Sequence, residues 1–132
     1  MKKLPILLLV GLALPATAQE SPTSRKAARV RVVGKPEIER ADPHSAIIRW
    51  TTNNPGGSPV HEGIVRYGTD PKKLSQTAIS PIRLNPGHAR TVFRVRIDGL
   101  EPGTTYYYVV DSREANGKVD GVKSALLRFA TP

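Results

Sequence analysis

The sequence of 132 residues contains no cysteine. That absence excludes a disulfide framework, thiolate chemistry and a cysteine-ligated metal site. Aromatic residues are few, with one Trp, two Phe and four Tyr, and 20 Lys and Arg outnumber 11 Asp and Glu. The formal net charge of +9 indicates attraction to anionic surfaces, and the length indicates a single domain.

Residues 1–18 have the three-part pattern of a secretory signal peptide. Two lysines follow the initiating Met, residues 4–14 are almost wholly apolar, and small residues at 16–18 follow a proline. The apolar stretch is shorter than the roughly 20 residues that span a bilayer, which disfavours a transmembrane anchor. The pattern predicts bacterial export with cleavage near Ala18. The mature chain is then secreted or periplasmic, with a net charge of +7 and no membrane span.

The remainder divides into a leader and one β-domain. Residues 19–34 are polar and basic and are predicted to be a flexible leader, and residues 35–132 are predicted to be the folded domain. In the domain, β-branched and aromatic runs alternate with Pro- and Gly-rich turns, and no stretch keeps a helical period. Seven strands are expected, which indicates an all-β, immunoglobulin-like sandwich. The predicted strands are 36–40, 45–52, 60–67, 76–84, 89–97, 104–112 and 122–130.

Strand alternation assigns the two faces of each strand. In strand 45–52 the charged Arg49 is costly to bury, so the face of Trp50 is expected to point inward. Six of the seven aromatic residues fall on inward faces by this reasoning, and only Tyr107 is expected to face outward. Little aromatic surface then remains for stacking sugars or bases. The predicted structural core includes Trp50, Tyr67, Leu100, Tyr106, Tyr108 and Phe129.

One motif is specific. Residues 100–106 have the form Leu-x-Pro-Gly-Thr-x-Tyr, which resembles the turn into the sixth strand of fibronectin type III domains. In a tyrosine corner of this kind the ring packs in the core while the hydroxyl bonds back to the backbone near the turn. Pro102 and Gly103 suit the turn, and Leu100 is expected to plug the end of the core. The alternative is a chance turn beside an aromatic strand.

A second resemblance covers roughly residues 36–132. Segments 46–51, 65–74 and 103–108 resemble the N-terminal fibronectin-like domain of purple acid phosphatases. In that family the β-domain precedes a separate two-metal phosphatase domain, whose Gly-Asp-x-Gly and Gly-Asn-His-Asp/Glu motifs do not occur in this sequence. The resemblance therefore implies no catalytic residue here. An acid phosphatase or metal-binding label would refer to that other domain.

No catalytic, cofactor or metal site is predicted from the residues themselves. His44, His61 and His88 fall in or beside predicted loops without the spacing of metal ligands, so they are expected to be solvated loop histidines. Glu37 and Glu39 are more typical of solvated strand residues than of a glycosidase pair. No nucleophile elbow or phosphate-binding loop is present.

Two outer faces are candidate binding surfaces. The basic face, on the sheet of the first, second and fifth strands, could attract an anionic envelope component, although solvating charge is the favoured interpretation. It comprises Arg49, Arg90, Arg94 and Arg96. The partner face, on the other sheet, is expected to be an exposed apolar strip flanked by arginines and suited to protein docking. It comprises Ile64, Arg66, Tyr107, Val109, Leu126 and Arg128, and a one-residue register error would invert it.

These features predict an exported, non-catalytic protein-binding or envelope-associated module that needs no cofactor. The alternative is an accessory subunit that docks on a separately encoded metallophosphatase of the purple acid phosphatase type. A small hydrolase with an unrecognised site is disfavoured because the ligand set is missing. A protein partner is expected, an anionic envelope component is the other option, and export disfavours nucleic acid.

Overall fold

The computed structural model describes residue 11, residues 30–85 and residues 87–132. Apart from residue 11, the predicted signal peptide lies outside this part of the chain, as does most of the predicted leader. The described residues form eight strands and no helix, so none of them lies in a helix that could cross a membrane. The strands are β1 (Val32–Ala41), β2 (Ser45–Asn53), β3 (Val60–Gly68), β4 (Gln76–Arg83), β5 (Arg90–Asp98), β6 (Thr105–Glu114), β7 (Val119–Lys123) and β8 (Leu127–Ala130).

The strands form two antiparallel sheets that pack as a sandwich. One sheet has the order β1-β2-β5, and the other has the order β4-β3-β6-β7 with β8 also paired to β6. The central pairs β2–β5 and β3–β6 keep an unbroken register, from Ser45 opposite Asp98 and from His61 opposite Glu114. The all-β sandwich predicted from strand alternation is confirmed.

The strand count differs from the predicted seven because segment 122–130 is divided. The division begins at Ser124. Its backbone amide donates to the Val110 carbonyl, while its hydroxyl oxygen accepts a 2.9 Å hydrogen bond from the Val110 amide. A side chain thus replaces a backbone acceptor in the ladder, and the chain leaves the sheet before rejoining it as β8.

The first strand begins earlier than the predicted 36–40. It starts at Val32, within the segment predicted to be leader, and Val32 pairs with Thr52 of β2. The register shifts between Val33 and Glu37, and Gly34 in this interval has a φ of 78°. A glycine adopts that conformation without steric cost, so the strand can bulge and still continue.

The core lies between the sheets and contains all six predicted core residues. Trp50 of β2 stacks on Phe93 of β5 with ring centroids 5.3 Å apart, and Tyr106 of β6 stacks on Phe129 of β8 at 5.7 Å. Gly63 of β3 faces the first of these pairs. The cluster comprises Ala46, Ile48, Trp50, Val65, Tyr67, Phe93, Val95, Ile97, Leu100, Tyr106, Tyr108, Val110 and Phe129.

Candidate functional site

The four arginines of the predicted basic face lie exposed on β2 and β5. Arg94 makes two hydrogen bonds to the Glu39 carboxylate, one of them 2.8 Å from Nε to Oε2. Arg96 Nε donates to Asp98 Oδ1 at 2.8 Å. Half of this cationic charge is therefore paired with neighbouring acids. Such a mixed-charge surface favours the solvating interpretation over a dedicated anion site.

The predicted partner face is not an exposed apolar strip: of its four apolar residues, Ile64 and Val109 are buried, Tyr107 is partly buried and Leu126 is exposed. Ile64 is 3% exposed and Val109 is 8% exposed. Neither belongs to the core cluster, whereas their chain neighbours Val65 and Val110 do, as expected when successive side chains of a strand point to opposite sides. The predicted faces of β3 and β6 are therefore right, and the two residues are covered from outside.

An ion pair lies on the same outer face. Arg66 Nη1 donates to Asp111 Oδ2 at 3.1 Å. Asp111 lies opposite Ile64 across the β3–β6 ladder, and Arg66 lies opposite Val109. The ion pair thus runs diagonally between the two apolar residues on the outer face, where the aliphatic stem of the arginine can cover them.

The remaining members of the partner face belong to a different surface. Tyr107 is partly buried, whereas Leu126 and Arg128 are exposed. All three line a groove on one side of the sandwich, between β1 and the segment from β7 to β8. This groove was not predicted, because its walls are about 90 residues apart in the sequence. We call it the edge groove.

The edge groove has two adjoining parts, with volumes of about 750 and 520 Å³. Lys35, Pro36 and Leu127 line both parts. Six of the other twelve side chains on its walls are aliphatic. These are Val30, Val32, Ile38, Val122, Ala125 and Leu126.

Charge on the edge groove has one sign. Arg31, Lys35, Lys123 and Arg128 line it, and all four are exposed. No Asp or Glu is among the described residues that line it. The groove therefore combines an apolar wall with a cationic rim.

Both walls of the edge groove are sheet edges. Within the described residues, β1 pairs with β2 alone, and β7 and β8 each pair with β6 alone. Their outer sides therefore present backbone groups that a further extended segment could pair with. Neither edge is covered by a helix in the described part of the chain.

The prediction of a solvated histidine is wrong for His61. This residue is 0% exposed and lies in β3. Its Nδ1 is 2.8 Å from Asp120 Oδ2, and its Nε2 is 2.8 Å from the Gly56 carbonyl oxygen. The alternation that places Val65 and Tyr67 inward also places His61 inward, so the signal was available in the sequence. His44 and His88 are exposed, as the loop assignment predicts.

Comparisons with known proteins agree with this architecture. Residues 36–131 match the family described as purple acid phosphatase, N-terminal domain. A search of curated proteins finds no match.

Comparison with solved structures gives the following similarities. The sensor domain of the anti-sigma factor RsgI4 of Pseudobacteroides cellulosolvens is 20% identical, with a TM-score of 0.50 over 78% of this chain and 92% of that chain. Bacteroides uniformis beta-glucuronidase is 15% identical, with a TM-score of 0.53 over 78% of this chain and 14% of that chain. The FN5 domain of Drosophila Lar is 17% identical, with a TM-score of 0.44 over 77% of this chain and 95% of that chain.

At these identities the structural likeness concerns the fold alone. The family match covers most of the chain and coincides with the sandwich from within β1 to the end of β8. The chain therefore belongs to the family of purple acid phosphatase N-terminal domains and has a fibronectin type III-like fold.

Proposed function

We propose that this protein is an exported, non-catalytic docking module that binds an extended, acidic segment of a protein partner in the edge groove. The observation that carries the proposal is the combination of an apolar wall and four exposed cations along one groove, with no acid among its described lining residues. Export rests on the signal-peptide pattern of residues 1–18, so the working form is the mature chain beginning near Gln19.

The two free sheet edges favour an extended ligand. A strand added to an edge gains affinity from backbone hydrogen bonds and specificity from alternate side chains. In such a strand, apolar residues would meet Val32 and Leu127, while acidic residues on the opposite face would reach Lys35 and Lys123. Electrostatic attraction would raise the association rate and weaken as salt increases.

Family membership favours a second candidate for the partner. The matched family is defined by the N-terminal domain of purple acid phosphatases. A separately encoded metallophosphatase of that type is therefore the first protein to examine, and the edge groove would be its docking site. An anionic envelope polymer is the competing ligand, since it would use the same positive charge without needing the apolar wall.

The binding experiment uses the purified mature chain and a fluorescent peptide that alternates Val with Glu. We expect saturable binding that weakens with salt and is absent for a peptide that alternates Val with Lys. The groove variant Lys35→Glu with Lys123→Glu should lose at least about tenfold in affinity. The control Arg49→Glu with Arg90→Glu makes the same change in net charge on the basic face and should change affinity little.

Equal losses in the two double variants would mean that only net charge matters, and this would overturn the edge groove as the binding site. Binding of a polyglutamate without apolar residues as tightly as the alternating peptide would favour the envelope polymer instead. A parallel experiment replaces the peptide with a purified metallophosphatase. There too, the groove variant should lose more affinity than the basic-face control variant.

A further inference from the structure

Three ionisable residues form a buried cluster on the inner face of the second sheet. One ligand atom from each of His61, Glu114 and Asp120 lies within 4.8 Å of the others. His61 and Glu114 are opposite each other in the β3–β6 ladder, and Asp120 enters from β7. The side chains of His61 and Asp120 are only 0% and 5% exposed. We call this group the buried triad.

Hydrogen bonding determines which nitrogen of His61 is available as a ligand. The Gly56 carbonyl can only accept, so Nε2, at 2.8 Å, must carry a proton. Nδ1 then faces Asp120 Oδ2 at 2.8 Å. Two lone pairs at that distance would repel each other, and 2.8 Å is an ordinary hydrogen-bond length, so the two atoms share a proton in this arrangement.

The contact with Gly56 is the arrangement that metal-binding histidines usually show. Such a histidine donates its other ring N–H to a carbonyl or carboxylate, which sets the tautomer and the ring orientation. Glu114 is positioned in a comparable way, because Asn116 Nδ2 donates to its Oε2 at 3.2 Å. Two members of the buried triad are thus held by groups that are not themselves candidate ligands.

Ser112 is a further polar group near the triad in the sequence. It lies on the same face of β6 as Glu114, two residues earlier, and is 0% exposed. Its Oγ has no hydrogen-bond partner among the described residues, a property that it shares with Trp50 Nε1, Thr52 Oγ1 and Arg113 Nε. A hydroxyl group at this position could donate to a water ligand of an ion in the triad.

We propose that the buried triad is a zinc site, in which the ion binds His61 Nδ1 and the carboxylates of Glu114 and Asp120. One imidazole and two carboxylates form a set of N and O donors that suits Zn²⁺, with a water molecule as the fourth ligand. The ion replaces the proton between His61 and Asp120, and that proton passes to solvent.

The required rearrangement is small. Zinc ligands lie about 2.0–2.2 Å from the ion, so two ligand atoms of a tetrahedral site are about 3.3–3.6 Å apart. The 2.8 Å separation between His61 and Asp120 must therefore widen slightly, and the widest separation, within 4.8 Å, must shorten by about 1 Å. The ion would join β3, β6 and β7, and through β7 it would stabilise one wall of the edge groove.

The test uses the untagged mature chain after treatment with a chelator. Calorimetric titration with Zn²⁺ should give one bound equivalent, a heat that varies with the ionisation enthalpy of the buffer because a proton is released, and a higher thermal midpoint. Asp120→Asn should weaken binding by at least about tenfold, since it removes a charged ligand while keeping the side-chain shape. His88→Gln removes an exposed histidine and should leave binding unchanged.

A folded wild-type chain that binds no stoichiometric Zn²⁺ overturns the proposal. So does binding that is lost in His88→Gln, because that result would place the ion on the surface. If Asp120→Asn fails to fold, as judged by circular dichroism, Glu114→Gln provides the same comparison. Unchanged affinity in a folded variant of either kind excludes the triad as the site.

Discussion

The hydroxyl oxygen of Tyr106 accepts a 2.8 Å hydrogen bond from the backbone amide of Glu101, five residues earlier. The ring of Tyr106 packs on Phe129 and makes an edge contact with Tyr67 at 6.4 Å. Thr131 completes the corner, since its hydroxyl donates to the Glu101 carbonyl at 2.6 Å. The tyrosine corner expected from the Leu-x-Pro-Gly-Thr-x-Tyr motif is therefore present. Its hydrogen bonds join the turn before β6 to Thr131, which follows β8.

The first prediction concerns this corner. Tyr106→Phe keeps the ring packing but leaves the Glu101 amide without its partner, so we expect the free energy of unfolding to fall by about 1–3 kcal/mol. Urea denaturation would measure the change. Tyr107→Phe is the matched control, because that neighbouring ring points outward, and its loss should be below about 0.5 kcal/mol. Equal losses in the two variants would contradict a specific role for the corner.

The second prediction concerns the close approach of β3 to the core aromatics. A Cβ at Gly63 would lie 3.0 Å from Phe93 Cδ1 and 3.1 Å from Trp50 Cη2. Gly63→Ala should therefore overpack the core and reduce the free energy of unfolding by about 1–3 kcal/mol. Combining it with Phe93→Leu should cost less than the sum of the two single changes, because the smaller side chain makes room. Strict additivity in urea melts would show that Gly63 does not act through this contact.

The third prediction concerns alkaline pH. Burial raises the pKa of Tyr108, and burial followed by the charges of Tyr106 and Asp98 raises the pKa of Tyr67. Above the ordinary phenol value of about 10, the unfolded chain loses these protons before the folded chain does, so this contribution to stability is present below pH 10 and is lost as pH rises further. Urea melts over an alkaline pH series should show a shallower decline for Tyr108→Phe than for the wild type. Parallel declines would contradict the assignment to Tyr108.

Local sequence accounts for the parts of the fold that depend on a single strand or turn. Alternation assigned Trp50, Tyr67 and Tyr108 to the core, because a strand presents successive side chains to opposite sides whatever its neighbours are. The turn chemistry of Pro102 and Gly103 similarly acts over a few residues. Both kinds of signal can be read without knowing which strands pair.

Features that depend on pairing were missed or mistaken. Ile64 and Val109 are buried on the face where Arg66 and Asp111, 45 residues apart, meet across the β3–β6 ladder. The division of β7 from β8 likewise coincides with a contact between Ser124 and Val110. Alternation correctly distinguished inside from outside, but exposure on the outside is set by the cross-strand neighbours.

The sequence by itself determined the all-β class, the inward faces and the tyrosine corner, since these follow from periodicity and turn chemistry over short distances. Only the tertiary structure decided where polar and charged groups act together. It brought β1 beside β7 and β8 to form the edge groove, and it placed His61 against Gly56 and Asp120 in the interior. The physical reason is that a site depends on distances between residues remote in the chain, and sheet topology and register set those distances.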